Sequence, residues 1–399
     1  MSWPKVKLSS IAQVVTGSTP SKEDDSYFGG DIPFVTPGEL DNGFVLNAKQ
    51  TLTQKGANVS RLLPKNSVMV CCIGSLGKVG ISGVPVVTNQ QINSLILDEN
   101  KADPMYVYFF CQTLKQTLVD MAPKTTVSIV NKSRFSDLEI PLPPLETQKQ
   151  IAAVLEKADQ LRKDCQQMEQ ELNKLAQAVF IDMFGDPATN PMGWPIKEIG
   201  DTFELLTDYH ANGSYEVLQR NVELLNESNF ALMVRTTDLE KNNFVDNVKY
   251  ISEHAYNFLE KTKVYGGELL VNKIGSAGKI YLMPKLDRPV SLAMNQFMIR
   301  FKKNEAISVF IYHLLSTEFG AEEIKKRVNG AVTKTIRKDA LREIALPIPP
   351  VDNQLKFCQF IDVLNVLKNN QRTISHEINE QFDALLKNAF NGELNLKAA

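Results

Sequence analysis

Apolar positions separate two long helices from the rest of the chain. Ile151, Val154, Ala158, Leu161, Cys165, Met168, Leu172, Leu175 and Val179 recur at alternating spacings of three and four. That is a heptad seam, the pattern of a helix packed lengthwise on another helix. Phe184-Gly185-Asp186-Pro187 predicts where it stops, because glycine suits a helix end and proline cannot continue one. A second stretch carries Phe357, Ile361, Leu364, Ile374, Ile378, Phe382, Leu385 and Ala389; Lys368 and Gln371 break it in the middle, and "FNGEL" (Phe390 to Leu394) ends it. Each stretch follows a stiff extended turn, "PLPP" or "PIPP", since proline fixes its own backbone and disfavours helix just before it. Elsewhere short β-rich runs ("VMVCCI", "LLVNKI", "QFMIRF") mix with amphipathic helices ("PMYVYFFCQTLKQTLV", "ISVFIYHLLSTEFGAEEIKKRV"). The pattern predicts α+β globules alternating with long helices.

That order of elements occurs twice. "SWPKVKLSSIAQVVTG" (from Ser2) matches "GWPIKEIGDTFELLTD" (from Gly193), and "FVTPGEL" (from Phe34) matches "MVRTTDL" (from Met233). "IGSLGKV" (from Ile73) matches "IGSAGKI" (from Ile274), "TNQQINSLIL" (from Thr88) matches "MNQFMIRF" (from Met294), and "EIPLPPLETQ" (from Glu139) matches "ALPIPPVDNQ" (from Ala345). Chance would not preserve that order, so the chain is a tandem duplication. The expected organisation is a first globular α/β domain at residues 1–144, a spacer helix at 145–186, a second domain at 187–346 and a second spacer helix at 347–399. The two helices are expected to form an antiparallel coiled coil; the competing arrangement folds each helix onto its own domain.

Composition narrows the possibilities. With 43% apolar and 23% charged residues, 399 residues can build real cores. "MSWPKVKLSS" has no apolar signal-peptide core, and no apolar run approaches membrane-spanning length, so a cytoplasmic protein is expected. Five cysteines lack CxxC or disulfide spacing, and four histidines pair with none of them, so neither a disulfide framework nor a metal site is expected. A net charge of −2 argues against indiscriminate coating of DNA but allows a specific binder with its basic residues on one face.

The repeated Gly-Ser-x-Gly-Lys loop resembles a phosphate-binding loop only superficially. A Walker loop needs GxxxxGK followed by Ser or Thr; here Val79 and Ile280 follow the lysines. Nor is there a GxGxxG fingerprint after a strand, or an Asn-Pro-Pro-Tyr-type tetrad. No cofactor and no catalytic residue is expected. A duplicated pair of globules joined by antiparallel helices mimics a dimer whose halves are free to diverge. Dimeric DNA binders use two half-sites, so such a chain could read two different ones across a fixed gap.

The succession of "PLPPLETQ", a long helix ending "MFGDP", a fresh "GWP" start, "PIPPVDNQ" and a final helix ending "FNGEL" resembles the specificity subunit of type I restriction–modification systems over essentially the full chain. The second turn departs from the first in carrying Asp352 where the first has Glu146. The resemblance implies a subunit that is not itself an enzyme. Each globule would be a target-recognition domain reading half of a bipartite site in double-stranded DNA. The helices would set the gap and dock two adenine methyltransferase subunits, through which motor-nuclease subunits join. A coiled-coil scaffold that binds no DNA is the alternative.

Residues that read bases should differ between halves that read different sequences. "APKTTVSIVNKSR" (from Ala122) and "NGAVTKTIRK" (from Asn329) share small, hydroxylic and basic chemistry yet differ in detail. Lys124, Thr125, Thr126, Lys334, Thr335, Arg337 and Lys338 are therefore expected at DNA, as is Arg235, which stands where the first copy has Thr36. Lys78 and Lys279, the same in both copies, suit phosphate contact or support of a tight turn. Asn89, Gln90 and Gln91, matched with Asn295 and Gln296, are expected to cap a turn.

Overall fold

The computed structural model describes residues 3–123 and 128–394. They pack as two compact units, the described residues of 3–167 with 371–394, and residues 168–370.

In the first unit, strand Lys5–Lys7 pairs antiparallel with Glu139–Pro141, pinning the start of the globule to its end. A five-stranded sheet runs in the order Ala12–Thr16, Ile92–Leu97, Val68–Cys71, Val79–Ser82, Phe44–Val45. A four-stranded sheet runs Gln50–Leu52, Phe28–Val35, Val86–Thr88, Leu62–Leu63. Side chains alternate across a strand. Val68 and Val70 face a core with helix Pro104–Thr113, while Met69 and Cys71 face Val35, Leu63 and Val86 of the smaller sheet. Both faces are covered, which is why "VMVC" is an unbroken apolar run.

The second unit repeats the plan. Ile196–Glu198 pairs with Ala345–Pro347. One sheet runs Phe203–Asp208, Gln296–Phe301, Leu269–Asn272, Ile280–Leu282, and another Lys249–Ile251, Ala231–Val234, Val290–Leu292, Lys263–Val264. The same alternation sends Leu269 and Val271 to one core and Leu270 to another. Helices Ser308–Leu315 and Glu318–Lys325 stand where the first unit has Pro104–Thr113 and Lys115–Met121.

Helix Leu145–Phe184 follows the first globule and helix Val351–Asn391 the second. The glutamine of each proline-rich motif locks the corner. Gln148 is fully buried; its side-chain carbonyl accepts from the Asp103 N–H at 2.9 Å, and its amide donates to the Pro143 and Lys101 carbonyls at 2.9 and 3.1 Å. Gln354 repeats the set with Ile307, Pro349 and Glu305 at 2.9, 2.8 and 3.2 Å. Each long helix is shared between the units. In the first unit Ile151, Ala152 and Leu155 share a core with Phe382, Leu386 and Ala389; in the second, Phe357, Ile361 and Leu364 share one with Ala176, Phe180 and Phe184. The start of one helix thus meets the end of the other within each unit, and the pair is antiparallel. Neither helix folds only onto its own domain.

The seam differs from the heptad reading in one respect. Leu161, Met168 and Leu175 are 58, 50 and 40% exposed. The covered positions are Ala158, Cys165, Leu172 and Val179 alternating with Leu155, Arg162, Glu169 and Ala176. Arg162 earns its place by lying 4.2 Å from the Phe382 ring centroid while paired with buried Asp159. On the second helix Gln371 does not break the seam: it is buried and donates to the Cys165 carbonyl at 3.0 Å, whereas Ile374 faces outward. No described helix is long and apolar enough to cross a membrane.

Candidate nucleic-acid interface

The two Gly-Ser-x-Gly-Lys loops occupy equivalent places and do the same structural job. In both, the two glycines have left-handed backbones: φ is +77° and +78° at Gly74 and Gly77, +82° and +84° at Gly275 and Gly278. A Cβ on Gly77 would lie 2.7 Å from the Lys115 Cα. The N–H of Gly77 donates to the Cys71 carbonyl and that of Gly278 to the Asn272 carbonyl, at 3.0 and 2.8 Å. Gly74 N–H donates to Ser128 and Gly275 N–H to Lys334, at 3.0 and 3.1 Å. All four glycine amides are engaged inside the protein, so these loops are tight turns rather than phosphate cradles built on those amides.

The same bonds bring the glycine loops against the loops chosen from sequence. Ile73 bridges Ile129 and Ile274 bridges Thr335. Val130 and Ile336 donate to the carbonyls of Cys72 and Lys273, at 2.9 and 3.1 Å. This register equates Lys334 with Ser128, Thr335 with Ile129, Arg337 with Asn131 and Lys338 with Lys132. Lys124, Thr125 and Thr126 lie outside the described residues.

In the second unit Lys279, Lys325 and Lys334 rim a cleft of about 440 Å³ whose floor includes Leu315, Ile324 and Val328. Lys279 lies 3.4 Å from Glu240. Lys334 and Arg337 are exposed and have no ion-pair partner among the described residues. The intervening turn presents Val332, 97% exposed, and Thr335 holds it by exchanging two 2.8 Å backbone bonds with Asn329. In the first unit Lys78 and Lys115 line a larger cleft of about 750 Å³ with Gln112, Arg162 and Asp383. There the Lys78 ammonium donates to the Pro37 carbonyl at 3.2 Å.

Two expected contacts are tied into the fold. Arg235 donates from Nε and Nη2 to Asp238 at 3.1 and 2.7 Å and from Nη2 to the Asn247 carbonyl at 2.6 Å. Its own N–H is capped by Asp238 at 2.8 Å, as the Thr36 N–H is by Glu39 at 2.8 Å. The position caps helix Thr236–Lys241 in the second unit and a turn in the first, and two of the guanidinium nitrogens are occupied by Asp238. Lys338 reaches Asp208 at 3.0 Å.

That last contact exposes residues the sequence reading passed over. Asp208, 8% exposed, holds Lys338 on one carboxylate oxygen and Lys273 on the other, at 3.0 and 2.9 Å. Both ammonium groups lie over the Phe297 ring, 5.7 and 5.6 Å from its centroid. Burial alone would raise the Asp208 pKa, but the bonds and charges of the two lysines hold it below the usual carboxylate value. In the first unit Thr16, Cys72 and Asn93 replace Asp208, Lys273 and Phe297; the Thr16 hydroxyl donates to the Asn93 side-chain oxygen at 2.7 Å, and burial pushes the Cys72 thiol up to about 12. The signal was present in the sequence as a lysine facing a cysteine just before matched loops.

Asn89 and Gln91 form a turn, with the Gln91 N–H donating to the Asn89 side chain at 3.1 Å. The sequence match here is out of register. Cys72 N–H donates to the Gln91 carbonyl and Lys273 N–H to the Asn295 carbonyl, so Asn295 corresponds to Gln91 and Ala293 to Asn89.

Comparison with known proteins agrees with this duplicated architecture. The model of the type I restriction modification DNA specificity domain matches residues 2–176 and again residues 191–380. The specificity subunit of type I restriction enzyme MjaIX from Methanocaldococcus jannaschii is 27% identical, covering 99% of this chain and 94% of that protein. The HindI specificity subunit from Haemophilus influenzae is 33% identical over 39% of this chain and 36% of its own. The S subunit of a type I restriction–modification system from M. genitalium superposes with a TM-score of 0.57 at 17% identity, covering 97% of this chain and 96% of that one. A chain from a structure of type I complex assembly and conformational transition superposes with a TM-score of 0.61 at 15% identity, covering 98% of both. With two copies of the specificity domain spanning most of its length, this chain belongs to the family of type I restriction–modification specificity subunits.

Proposed function

We propose that this chain is a non-catalytic subunit that reads a bipartite site in double-stranded DNA, one half-site per globule. The paired helices set the gap between the half-sites. They also dock two adenine methyltransferase subunits and, through them, motor-nuclease subunits. Each methyltransferase would flip one adenine out of the stack in its half-site.

One observation carries the reading: two globules share a fold and a loop framework, yet equivalent loop positions carry different side chains. Lys334, Thr335 and Arg337 stand where the first unit has Ser128, Ile129 and Asn131. Phosphate contacts position a protein on DNA, whereas base-edge contacts specify sequence, and arginine or lysine pairs well with guanine. Lys334 and Arg337, exposed and without an ion-pair partner among the described residues, are the leading contacts of the second reader. Lys78 and Lys279, the same in both halves, suit phosphate. Lys338 and Arg235 contribute with their present partners retained.

The test is to assemble the chain with a cognate methyltransferase subunit and select bound fragments from random DNA at moderate salt. Two short defined blocks around a fixed undefined gap are expected. Recovery of no motif from a correctly assembled complex would replace this reading with that of a scaffold that does not read DNA.

A further inference from the structure

Resting on the reading of the second unit as a DNA reader, we propose that Asp208 is a positioning residue for its specificity: it fastens the base of loop 329–337 through Lys273 and Lys338. Asp208 ends strand Phe203–Asp208, directly opposite Phe297 in the paired strand. Lys273 follows strand Leu269–Asn272 and Lys338 opens helix Lys338–Arg342, immediately after Arg337. One carboxylate therefore joins three separate stretches of chain on a single aromatic face. The backbone completes the fastening, with Ile336 N–H on the Lys273 carbonyl and Gly275 N–H on the Lys334 carbonyl, both at 3.1 Å.

The charges explain why the carboxylate is required. Two half-buried ammonium groups share one ring, and without Asp208 they would repel each other with no anion between them. One or both would swing to water and release the segment carrying Lys334 and Arg337. The first unit fills the same place with the uncharged Thr16, Asn93 and Cys72, where the Thr16 hydroxyl bonds Asn93 and, among the described residues, no charged clamp reaches the loop. The fold itself therefore does not need the clamp. It is a feature of the second reader alone, next to the loop whose side chains differ from their counterparts.

The experiment compares wild type, Asp208→Asn, and a triple variant carrying the first unit's residues (Asp208→Thr, Lys273→Cys, Phe297→Asn). Each is assembled with the methyltransferase subunit, and affinity is measured for the selected site and for single mismatches in either block. A mismatch in a specific site normally weakens binding by roughly five- to a hundred-fold or more. We expect the penalty for mismatches in the second unit's block to fall roughly tenfold in both variants, with penalties in the first block unchanged. That local loss is what a general folding defect would not produce. If the wild type selects a split motif and the triple variant keeps full discrimination in both blocks, the positioning role is overturned. The same follows if both variants weaken the two blocks equally. If the wild type selects no motif at all, the underlying DNA reading fails instead.

Discussion

Residues in one loop can share a conformation and differ in what depends on them. Gly74 and Gly77 have nearly the same φ, but among the described residues a Cβ at Gly74 meets only the Gln91 amide at 3.7 Å, while one at Gly77 collides with the Lys115 backbone. Gly74→Ala should cost about 1–2 kcal/mol for the left-handed backbone alone. Gly77→Ala should cost more, because a backbone atom must move; chemical denaturation of the two variants separates the terms. Lys334 makes a charge prediction. If it meets phosphate, Lys334→Ala lowers DNA affinity for all sequences alike and reduces the slope of log affinity against log salt by about 1; a base contact instead relaxes preference at one position. His313 makes a pH prediction. Burial, with Lys368 adding repulsion, lowers its pKa to about 4 from an ordinary 6.5, and its ring packs 5.2 Å from Phe357. The unfolded chain takes up the proton first as pH falls. The contribution is thus complete above about 6.5 and is lost as pH drops toward 4, by up to about 1.4 kcal/mol per unit. Melting curves of His313→Phe should show a shallower acid dependence over that window.

At the scale of elements, the long helices teach how far periodicity goes. Their extents follow from the proline-rich starts and glycine ends, and Gly185 and Gly392 both adopt φ of +76°. Which apolar stripe faces inward did not follow, because Val154, Leu161, Met168 and Leu175 keep heptad spacing as faithfully as the covered row one residue on. Partners across the seam settled the choice: Phe382 accepts the Arg162 cation, and Gln371 finds the Cys165 carbonyl. Leu155→Ala, at a fully buried site, should destabilise by about 2–5 kcal/mol. Leu161→Ala should stay within about 0.5 kcal/mol, as expected for an exposed position. Equal losses would restore the original seam. Gln148 and Gln354 were conspicuous as repeated letters; that each satisfies three backbone groups required the folded corner.

For the whole molecule, sequence repeat and packing unit do not coincide. The repeat is consecutive in the chain, whereas each compact unit closes its core with the far end of the other repeat's helix. Tyr106 packs tilted and Phe110 edge-on against Phe390, and Phe109 edge-on against Phe382, so the first globule is completed by the last turns of helix Val351–Asn391. An exchange of residues 1–140 for the equivalent domain of a relative that keeps these aromatic contacts should change one block of the selected DNA motif and leave the other. Motif selection with the hybrid is the check; changes in both blocks would contradict independent readers.

The sequence by itself determined the duplication, the helix limits, the recurrence of the glycine loop and the family likeness. These rest on local rules: proline and glycine backbone limits, and periodicity set by residues a few positions apart. Tertiary structure alone decided which stripe became the seam, that Asn295 matches Gln91, and that Asp208, Lys273 and Lys338 meet on Phe297. Those are contacts between residues far apart in the chain. They are chosen by competition for burial and for charge partners, which no local pattern encodes.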